Sequence, residues 1–334
     1  MTMLAAQNGA AEVRFVLFSA CILVAIVGGY VLRRKGVLKP EWAGHIMSAA
    51  IVGCDAPIAC LAIWFLQMQA DVWKVPVAGA LVGVATCLLG LAAARWRGMA
   101  PADAAVFGLQ AGMGNVGYTL GGAIVFVLWG IQGLALEQMF CMMWPFFAFL
   151  FCFPIARHYG ERAAGAPAGG GLAAYAVKAL GQSLADVRSL PLYLATLGLV
   201  LNLAGAPPPE FVRRWHVIDA LMVVGIFIQF GAVGMTVYAG RMVLYWKKAL
   251  GSAGLKFLVS PALMLGATLA MGMTGTPLYV CLLLAAMPTA IYSVLMANLF
   301  GLNKDLANTT FILTHAVCLT GILSAVGLRF LLVQ

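Results

Sequence analysis

In the segment GLQAGMGNVGYTLGG at residues 108–122, glycines interrupt an apolar run. A second interruption, MPT at residues 287–289, lies in the middle of the apolar run 276–300. Asn115 and Pro288 are 173 positions apart, about half of the 334 residues. A broken helix frees backbone N–H and C=O groups that hydrocarbon cannot satisfy, so protein, water or a ligand must complete them. Paired breaks at matching places in two halves are typical of the substrate site of a membrane carrier.

The composition around these breaks is that of an integral membrane protein. Hydrophobic residues make up 63% of the chain and charged residues only 9%, whereas a soluble domain has about 25% charged residues. Because each span needs roughly 20 apolar residues, the chain is predicted to cross the membrane ten times, with the fourth and ninth spans broken. The ten predicted spans are 15–32, 44–66, 75–94, 103–129, 134–156, 190–206, 217–240, 253–273, 276–300 and 306–332.

The basic residues are distributed unevenly between the two sides of the predicted membrane. Of the 20 lysines and arginines, 15 fall on one set of span ends and five on the other. By the positive-inside rule this asymmetry predicts that both termini lie outside the cell. The net charge of +9 therefore reflects topology, and no nucleic-acid partner is expected.

A glycine-rich connector divides the ten spans into two sets of five. The predicted organisation is a first five-helix repeat at 1–157, a cytoplasmic linker at 158–189 and a second five-helix repeat at 190–334. An odd number of spans in each half forces the halves into opposite orientations, which predicts an inverted repeat. The predicted fold class is thus an all-α membrane protein with two inverted five-helix repeats.

Several segments resemble one family of membrane carriers. GGYVLRRKGVL at 28–38 resembles its opening motif, and GNVGY at 114–118 resembles its fourth-span block. AMPTA at 286–290 and ANLFG at 297–301 resemble the ninth-span block, and residues 303–310 resemble the start of the tenth span. The family is that of the auxin efflux carriers, or PIN-like transporters.

This resemblance implies a ten-helix inverted repeat in which helices four and nine cross near the membrane midplane. It also implies an organic anion bound beside the crossing, and often a homodimer. Two departures stand out: Gly121 and Gly122 replace a proline that commonly follows the fourth-span block, and the long cytoplasmic loop of plant carriers is absent. The resemblance is therefore to a compact bacterial-type member, which is expected in the inner membrane.

The residues around the two breaks are the predicted substrate site. The amide of Asn115 offers two donors and an acceptor, and the N-terminal end of a half helix suits a carboxylate. The alternatives are an asparagine that packs helices together and, for Pro288, a simple helix kink. The predicted substrate-binding residues are Gly114, Asn115, Gly117, Tyr118, Pro288, Thr289, Tyr292 and Ser293.

Two further polar residues lie deep within predicted spans and are predicted to serve coupling or support. Asp55 is near the centre of the second span, where a carboxylate costs ~3 kcal/mol and normally faces a cavity or a partner. It could coordinate a cation, transfer a coupling proton or brace the crossing. His315 in the tenth span could relay protons or donate to an anion, or could simply bond a neighbouring helix. Glu137 and Asp219, near predicted span ends, are interpreted as solvated charges.

The sequence has no nucleophile–base constellation, phosphate loop or nucleotide motif, and its eight cysteines all fall in apolar segments without a C-x-x-C pair. No enzymatic activity, cofactor or metal is therefore predicted. The leading hypothesis is a secondary carrier of a small organic anion, with a mono- or dicarboxylate as the expected class. The alternatives are a sodium-coupled symporter of the bile-acid-transporter fold and a membrane-embedded sensor.

Overall fold

The computed structural model describes residues 2–165, 171–236 and 242–332, and within them the protein is all-α. The segment APAGG at 166–170 of the predicted linker lies outside the described residues. The helices are α1 Thr2–Arg34, α2 Pro40–Trp64, α3 Lys74–Trp96, α4 Pro101–Gly112, α5 Gly121–Cys141, α6 144–163, α7 Leu172–Ala185, α8 Leu190–Leu203, α9 Glu210–Arg214, α10 Val217–Thr236, α11 Met242–Ala270, α12 Gly275–Ala285, α13 Ile291–Leu299 and α14 Lys304–Leu332.

Six of the described helices are long and apolar enough to cross a membrane, or seven if the pair formed by α7 and residues 187–203, bent by 79°, is one span. This number is lower than the ten predicted spans. One reason is that the breaks leave α4, α12 and α13 too short to cross alone. Another is that 121–163 counts as one helix although Gly130 has φ 59° and ψ −146°. The chain turns at Gly130, between the predicted fourth and fifth spans.

Three helices contain a π-helical turn, and each turn ends two residues before a proline. The turns are Ile51–Asp55 in α2, Phe147–Cys152 in α6 and Leu255–Val259 in α11. The prolines that follow are Pro57, Pro154 and Pro261. Because proline has no N–H, the regular ladder of the helix cannot continue through it, and a wider turn accommodates the mismatch. Such turns are frequent at functional sites, and two of these three hold a charged residue.

The helices pack in two groups. The first bundle contains α1, α2, α8 and α10, and the second contains α3, α4, α6, α11 and α14. Close approach in the first bundle depends on glycine. A Cβ on Gly29 of α1 would lie 2.0 Å from the carbonyl oxygen of Gly231 in α10, and a Cβ on Gly198 of α8 would lie 2.3 Å from that of Cys60 in α2. Helix α5 contacts α2 and α12.

The described part of the predicted linker is largely helical rather than irregular. The end of α6 continues to Ala163, and Leu172–Ala185 forms α7. The short turn Val187–Ser189 then leads into α8. The side chain of Asp186 caps this turn by accepting a hydrogen bond from the backbone N–H of Arg188 at 2.8 Å. The described residues of the segment between the two predicted halves are therefore mostly helical and lie beside the second bundle.

Candidate functional site

The two breaks in the chain lie against each other. The backbone N–H of Asn115 donates to the carbonyl oxygen of Pro288 at 2.6 Å, and the N–H of Ala290 donates to that of Met113 at 3.0 Å. Gly114 and Thr289 form an isolated antiparallel bridge between these bonds. We call residues 113–117 and 287–290 the crossing. Its two strands satisfy backbone groups that the broken helices leave free, as a membrane interior requires.

Four helix ends meet at the crossing. Helices α4 and α12 end there, at Gly112 and Ala285, whereas α5 and α13 begin just beyond it, at Gly121 and Ile291. The two kinds of end line different cavities. The segments that lead into the N-terminal ends of α5 and α13 line a large cavity, and the C-terminal ends of α4 and α12 line a small one.

The large cavity, here called the main cavity, has a volume of about 670 Å³ and lies between the two bundles. This volume is in the range typical of small-molecule sites. The first bundle contributes residues of α2, α8 and α10, and the crossing forms the opposite wall. The polar side chains that line it are Asp55, Asn115, Tyr118, Thr119, Gln138, Gln182, Ser183, Asp186, Arg188, Ser189, Gln229, Tyr292 and His315.

Asn115 is held in the wall of the main cavity by two side chains. Its Oδ1 accepts a hydrogen bond from Thr119 Oγ1 at 2.7 Å, and its Nδ2 lies 3.2 Å from Nε2 of His315. Nδ1 of His315 lies 2.8 Å from the carbonyl oxygen of Phe311, which requires the proton on Nδ1 and leaves Nε2 as the acceptor. His315 therefore orients the Asn115 amide. The second N–H of that amide has no partner among the described residues.

Asp55 lies in the π-helical turn of α2, is 2% exposed and lines the main cavity. Its Oδ1 accepts a hydrogen bond from Nε2 of Gln229 in α10 at 2.9 Å. This bond joins two helices of the first bundle at the point where the bundle faces the crossing. Asp55 forms no ion pair with a residue of the described ranges, so a hydrogen bond rather than an opposite charge partners its carboxyl.

Glu137 corrects the sequence interpretation of a solvated charge near a span end. It is completely buried and accepts hydrogen bonds from Gln138 and, at 3.0 Å, from the thiol of Cys141. Gln138 in turn accepts a hydrogen bond from the hydroxyl of Tyr118 at 2.5 Å, which connects this network to the main cavity. Glu137 is therefore a second carboxylate buried among the helices, in addition to Asp55. Its position within the apolar run 134–156 was the available indication.

The remaining predicted residues divide into those that line the main cavity and those that hold the crossing. Gly114, Gly117, Tyr118 and Tyr292 line the cavity. Thr289 and Ser293 do not; Thr289 is buried and bonds Thr314 in α14.

Ser293 is also buried. Its hydroxyl accepts a hydrogen bond from Gln110 at 3.2 Å and donates one to the carbonyl oxygen of Ala290 at 2.6 Å. Pro288 contributes its carbonyl oxygen to the crossing. These three residues therefore support the wall without facing the cavity.

The main cavity is also lined by features that, apart from Tyr292, the sequence did not single out. The ring of Tyr292 meets Trp144 edge-on with centroids 4.9 Å apart and also contacts Phe153, so an aromatic wall lies beside the crossing. Arg188 lines the cavity from the turn before α8 and is 3.4 Å from the carboxylate of Asp186. Its side chain is 58% exposed. A flexible, partly exposed guanidinium beside a cavity can reach an anionic ligand.

Lys256 is one of the 15 basic residues that the sequence places at cytoplasmic span ends, and its position differs from that interpretation. Helix α11 begins at Met242 rather than at 253, so Lys256 lies well inside it and is 2% exposed. Asp219 was also interpreted as solvated, but it pairs with Arg14 at 2.6 Å and joins α1 to α10. Within the described ranges, no group of three histidine, cysteine, aspartate or glutamate side chains is arranged to hold a metal ion.

Comparison with known proteins bears on the second half of the chain. The model of a family described as Membrane transport protein matches residues 191–324. The matched range includes the second break, the aromatic wall residue Tyr292 and the histidine that orients Asn115. No curated protein matches the chain. The family match confirms, over residues 191–324, the resemblance found in the sequence: this part of the chain matches the membrane transport protein family, which includes the auxin efflux carriers.

Proposed function

We propose that the chain is a secondary carrier, not an enzyme, that moves a small organic anion of the mono- or dicarboxylate class by alternating access. The main supporting observation is that the N-terminal ends of α5 and α13 lead into the main cavity. The N-terminal end of a helix is the positive end of its dipole, so both ends favour a carboxylate in this cavity. The free N–H of Asn115 and the guanidinium of Arg188 add donors to the same cavity.

The cavity also contains features that would recognise the rest of the ligand. The ring of Tyr292 and its aromatic neighbours offer an apolar face, and a volume of about 670 Å³ accommodates a small acid together with water. Asp55 faces the cavity from the other bundle. The Asp55 carboxylate would repel a negative charge of the substrate placed beside it. The cavity therefore favours an anion whose charge lies toward the crossing.

We further propose that ten spans form two inverted five-helix repeats, 1–157 and 190–334, joined by 158–189. Reciprocal packing supports this arrangement: the first helix of the first half, α1, packs on α10, and the first helix of the second half, α8, packs on α2. In this arrangement α4 with the start of α5 corresponds to α12 with α13. The termini would lie outside a bacterial inner membrane, and a homodimer is the expected assembly.

Alternating access would then be a movement of the first bundle against the second. The main cavity lies between the bundles, so a rocking motion would open it to one side and close it to the other. The hydrogen bonds of the crossing join α4, α5, α12 and α13 through the backbone, so these segments would move together. The side chain of Asp55 would stay with the first bundle and that of Asn115 with the crossing.

Sodium-coupled symport remains the second candidate, and burial of Glu137 favours it more than the sequence alone did. Asp55 and Glu137 are both buried, and each accepts a hydrogen bond from a glutamine amide. A sodium site needs several oxygen ligands, so the two carboxyls could contribute to one. Uptake measured in sodium and in choline buffers decides between the candidates: equal rates support the uncoupled carrier, and uptake that requires sodium supports the symporter.

A ligand screen tests the proposed substrate class. Purified protein is heated with mono- and dicarboxylates, aromatic acids and their neutral amides, because a ligand bound only by the native state raises the Tm. At a concentration of about 100 Kd, a ligand adds about 2.7 kcal/mol of stability. We expect an acid to raise the Tm and its amide to have no effect, and the same acid to exchange across proteoliposomes. Stabilisation by neutral or cationic compounds alone would refute the anion assignment.

A further inference from the structure

Lys256 is a buried cation at the back of the crossing. It lies in the π-helical turn Leu255–Val259 of α11 and is 2% exposed. A Cβ placed on Gly114 would be 2.8 Å from Nζ of Lys256, so the ammonium lies directly against the backbone of the crossing. Within the described part of the chain, the ammonium forms no hydrogen bond or ion pair. Lys248 in the same helix differs, because its ammonium pairs with Asp103 at 2.5 Å.

The Lys256 ammonium faces the small cavity, which has a volume of about 40 Å³. This cavity shares Gly114 with the main cavity but lies on the other side of it. Ser260, one helical turn after Lys256, lines it together with glycine and apolar residues, and no carboxylate is among its lining residues. Its volume has room for about one or two water molecules.

The helix ends at this cavity are negative. Gly112 is the last residue of α4, and Ala285 is the last residue of α12, and both line the small cavity. The C-terminal end of a helix corresponds to roughly half a negative elementary charge. Two such ends facing one cavity sum to about one negative charge, which a single ammonium balances. An anion in this cavity would face two negative helix ends, so the cavity suits a cation.

We propose that Lys256 is the built-in cation of the crossing. Its ammonium neutralises the C-terminal ends of α4 and α12 on one face, while the N-terminal ends of α5 and α13 remain available to the substrate anion on the other. This inference rests on the proposed function for its role in transport. Lys256 is a positioning residue: it acts through the helix ends and does not contact the substrate. A carrier with such a lysine needs no bound metal cation to assemble the crossing.

The test is chemical rescue of Lys256→Ala by primary ammonium ions. Removing the side chain leaves a space continuous with the small cavity, into which methyl-, ethyl- or propylammonium can bind. We expect anion exchange by the variant to fall about 3- to 30-fold, the effect of losing two helix-end interactions. Propylammonium, which is closest to the lost side chain, should restore exchange best and should raise the Tm of the variant. The same concentrations of sodium and tetramethylammonium should do neither.

Three controls separate charge from packing. Lys256→Met keeps the volume without the charge, so its exchange should also be low and no amine should restore it. Lys247→Ala removes an exposed lysine from the same helix and should behave like the unmodified protein. The unmodified protein should not respond to amines, because its own ammonium already occupies the place.

Several outcomes would overturn the inference. Exchange by Lys256→Met above half of the unmodified rate would show that the charge is dispensable. Loss of exchange by a folded Lys256→Ala that no amine restores or stabilises would leave Lys256 with a packing role. Failure to recover either variant folded, with and without propylammonium during purification, would also count against it. If the unmodified protein transports no anion but propylammonium still stabilises Lys256→Ala, the proposed function fails and the cation assignment stands.

Discussion

The substitution Asp55→Asn distinguishes a bracing role for this carboxyl from a role in coupling. Asp55 accepts one hydrogen bond from Gln229 at 2.9 Å and has no charged partner among the described residues. Asparagine has nearly the same shape, and its carbonyl oxygen can accept the same bond. If Asp55 braces α2 against α10, Asp55→Asn should retain most of the anion uptake, with no change in its dependence on pH.

The structure gives the magnitude of this effect and of its control. A buried hydrogen bond contributes about 1 kcal/mol, and leaving its donor unsatisfied costs about 1–3 kcal/mol. We therefore expect Asp55→Asn to cost under about 1 kcal/mol and Asp55→Ala, which leaves Nε2 of Gln229 without its acceptor, about 2 kcal/mol. By the scaling for domains somewhat smaller than this chain, the latter corresponds to a fall in Tm of roughly 4–8 °C.

The assay is uptake into proteoliposomes whose internal pH is held constant. The external pH is varied from about 5.5 to about 8, the range in which proton coupling is readily seen. Unmodified protein and Asp55→Asn should give parallel profiles, with rates within about fivefold, since under about 1 kcal/mol separates them. Accumulation driven by a pH gradient in the unmodified protein but lost in Asp55→Asn, with exchange intact, would refute the bracing role. Uptake that requires sodium would favour the symporter.

Three further predictions follow from the same contacts. Asn115→Ala should weaken binding of the substrate acid about tenfold, because one hydrogen bond to a charged group is lost. Isothermal titration measures this affinity, with the exposed Asn298→Ala as the control, and unchanged affinity would assign Asn115 to packing. Gly29→Ala should lower the Tm, since its Cβ would lie 2.0 Å from the carbonyl oxygen of Gly231 and such overpacking costs about 1–3 kcal/mol. The neighbouring Gly28→Ala has open space and should leave the Tm unchanged. Equal Tm values for the two variants would contradict the close contact of α1 and α10. Cysteines introduced at residues 7 and 164 of a cysteine-free variant should react differently with an impermeant reagent, with residue 7 labelled from outside and residue 164 not; the reverse pattern would refute the proposed orientation.

The breaks of the crossing could be predicted from the sequence because their chemistry is local. Glycines at 108–122 and Pro288 interrupt apolar runs. The backbone groups freed there cannot bond to hydrocarbon, so protein, water or a ligand must partner them. Asp55 was also recognisable, since a carboxyl in the middle of an apolar run must face a cavity or a partner. That the two breaks meet was implied by the family resemblance rather than by this local chemistry, and the bond from the N–H of Asn115 to the carbonyl oxygen of Pro288 joins them.

The burial of Glu137 and Lys256 was missed because a hydropathy pattern fixes span ends only to within a few residues. Helix α11 begins at Met242, well before the predicted start at 253, so a residue assigned to the membrane edge lies in the interior. Whether a charge within one turn of a predicted boundary is solvated depends on which helices cover it, and this information is not local. Asp219 pairs with Arg14, whereas Lys256 lines a cavity beside two helix ends. This difference likewise depends on tertiary packing.

The crossing is joined by main-chain atoms, and this has a consequence for how substrate selectivity can diverge. The hydrogen bonds from Asn115 to Pro288 and from Ala290 to Met113 do not depend on which side chains those residues bear, apart from the ring of the proline. Side chains that face the main cavity, such as those of Asn115 and Tyr292, can therefore be exchanged without dismantling the scaffold that presents them. Mutational libraries restricted to these lining positions should yield variants with altered ligand preference at a higher frequency than libraries directed at Thr289, Ser293 or Thr314, whose hydroxyls hold the scaffold itself.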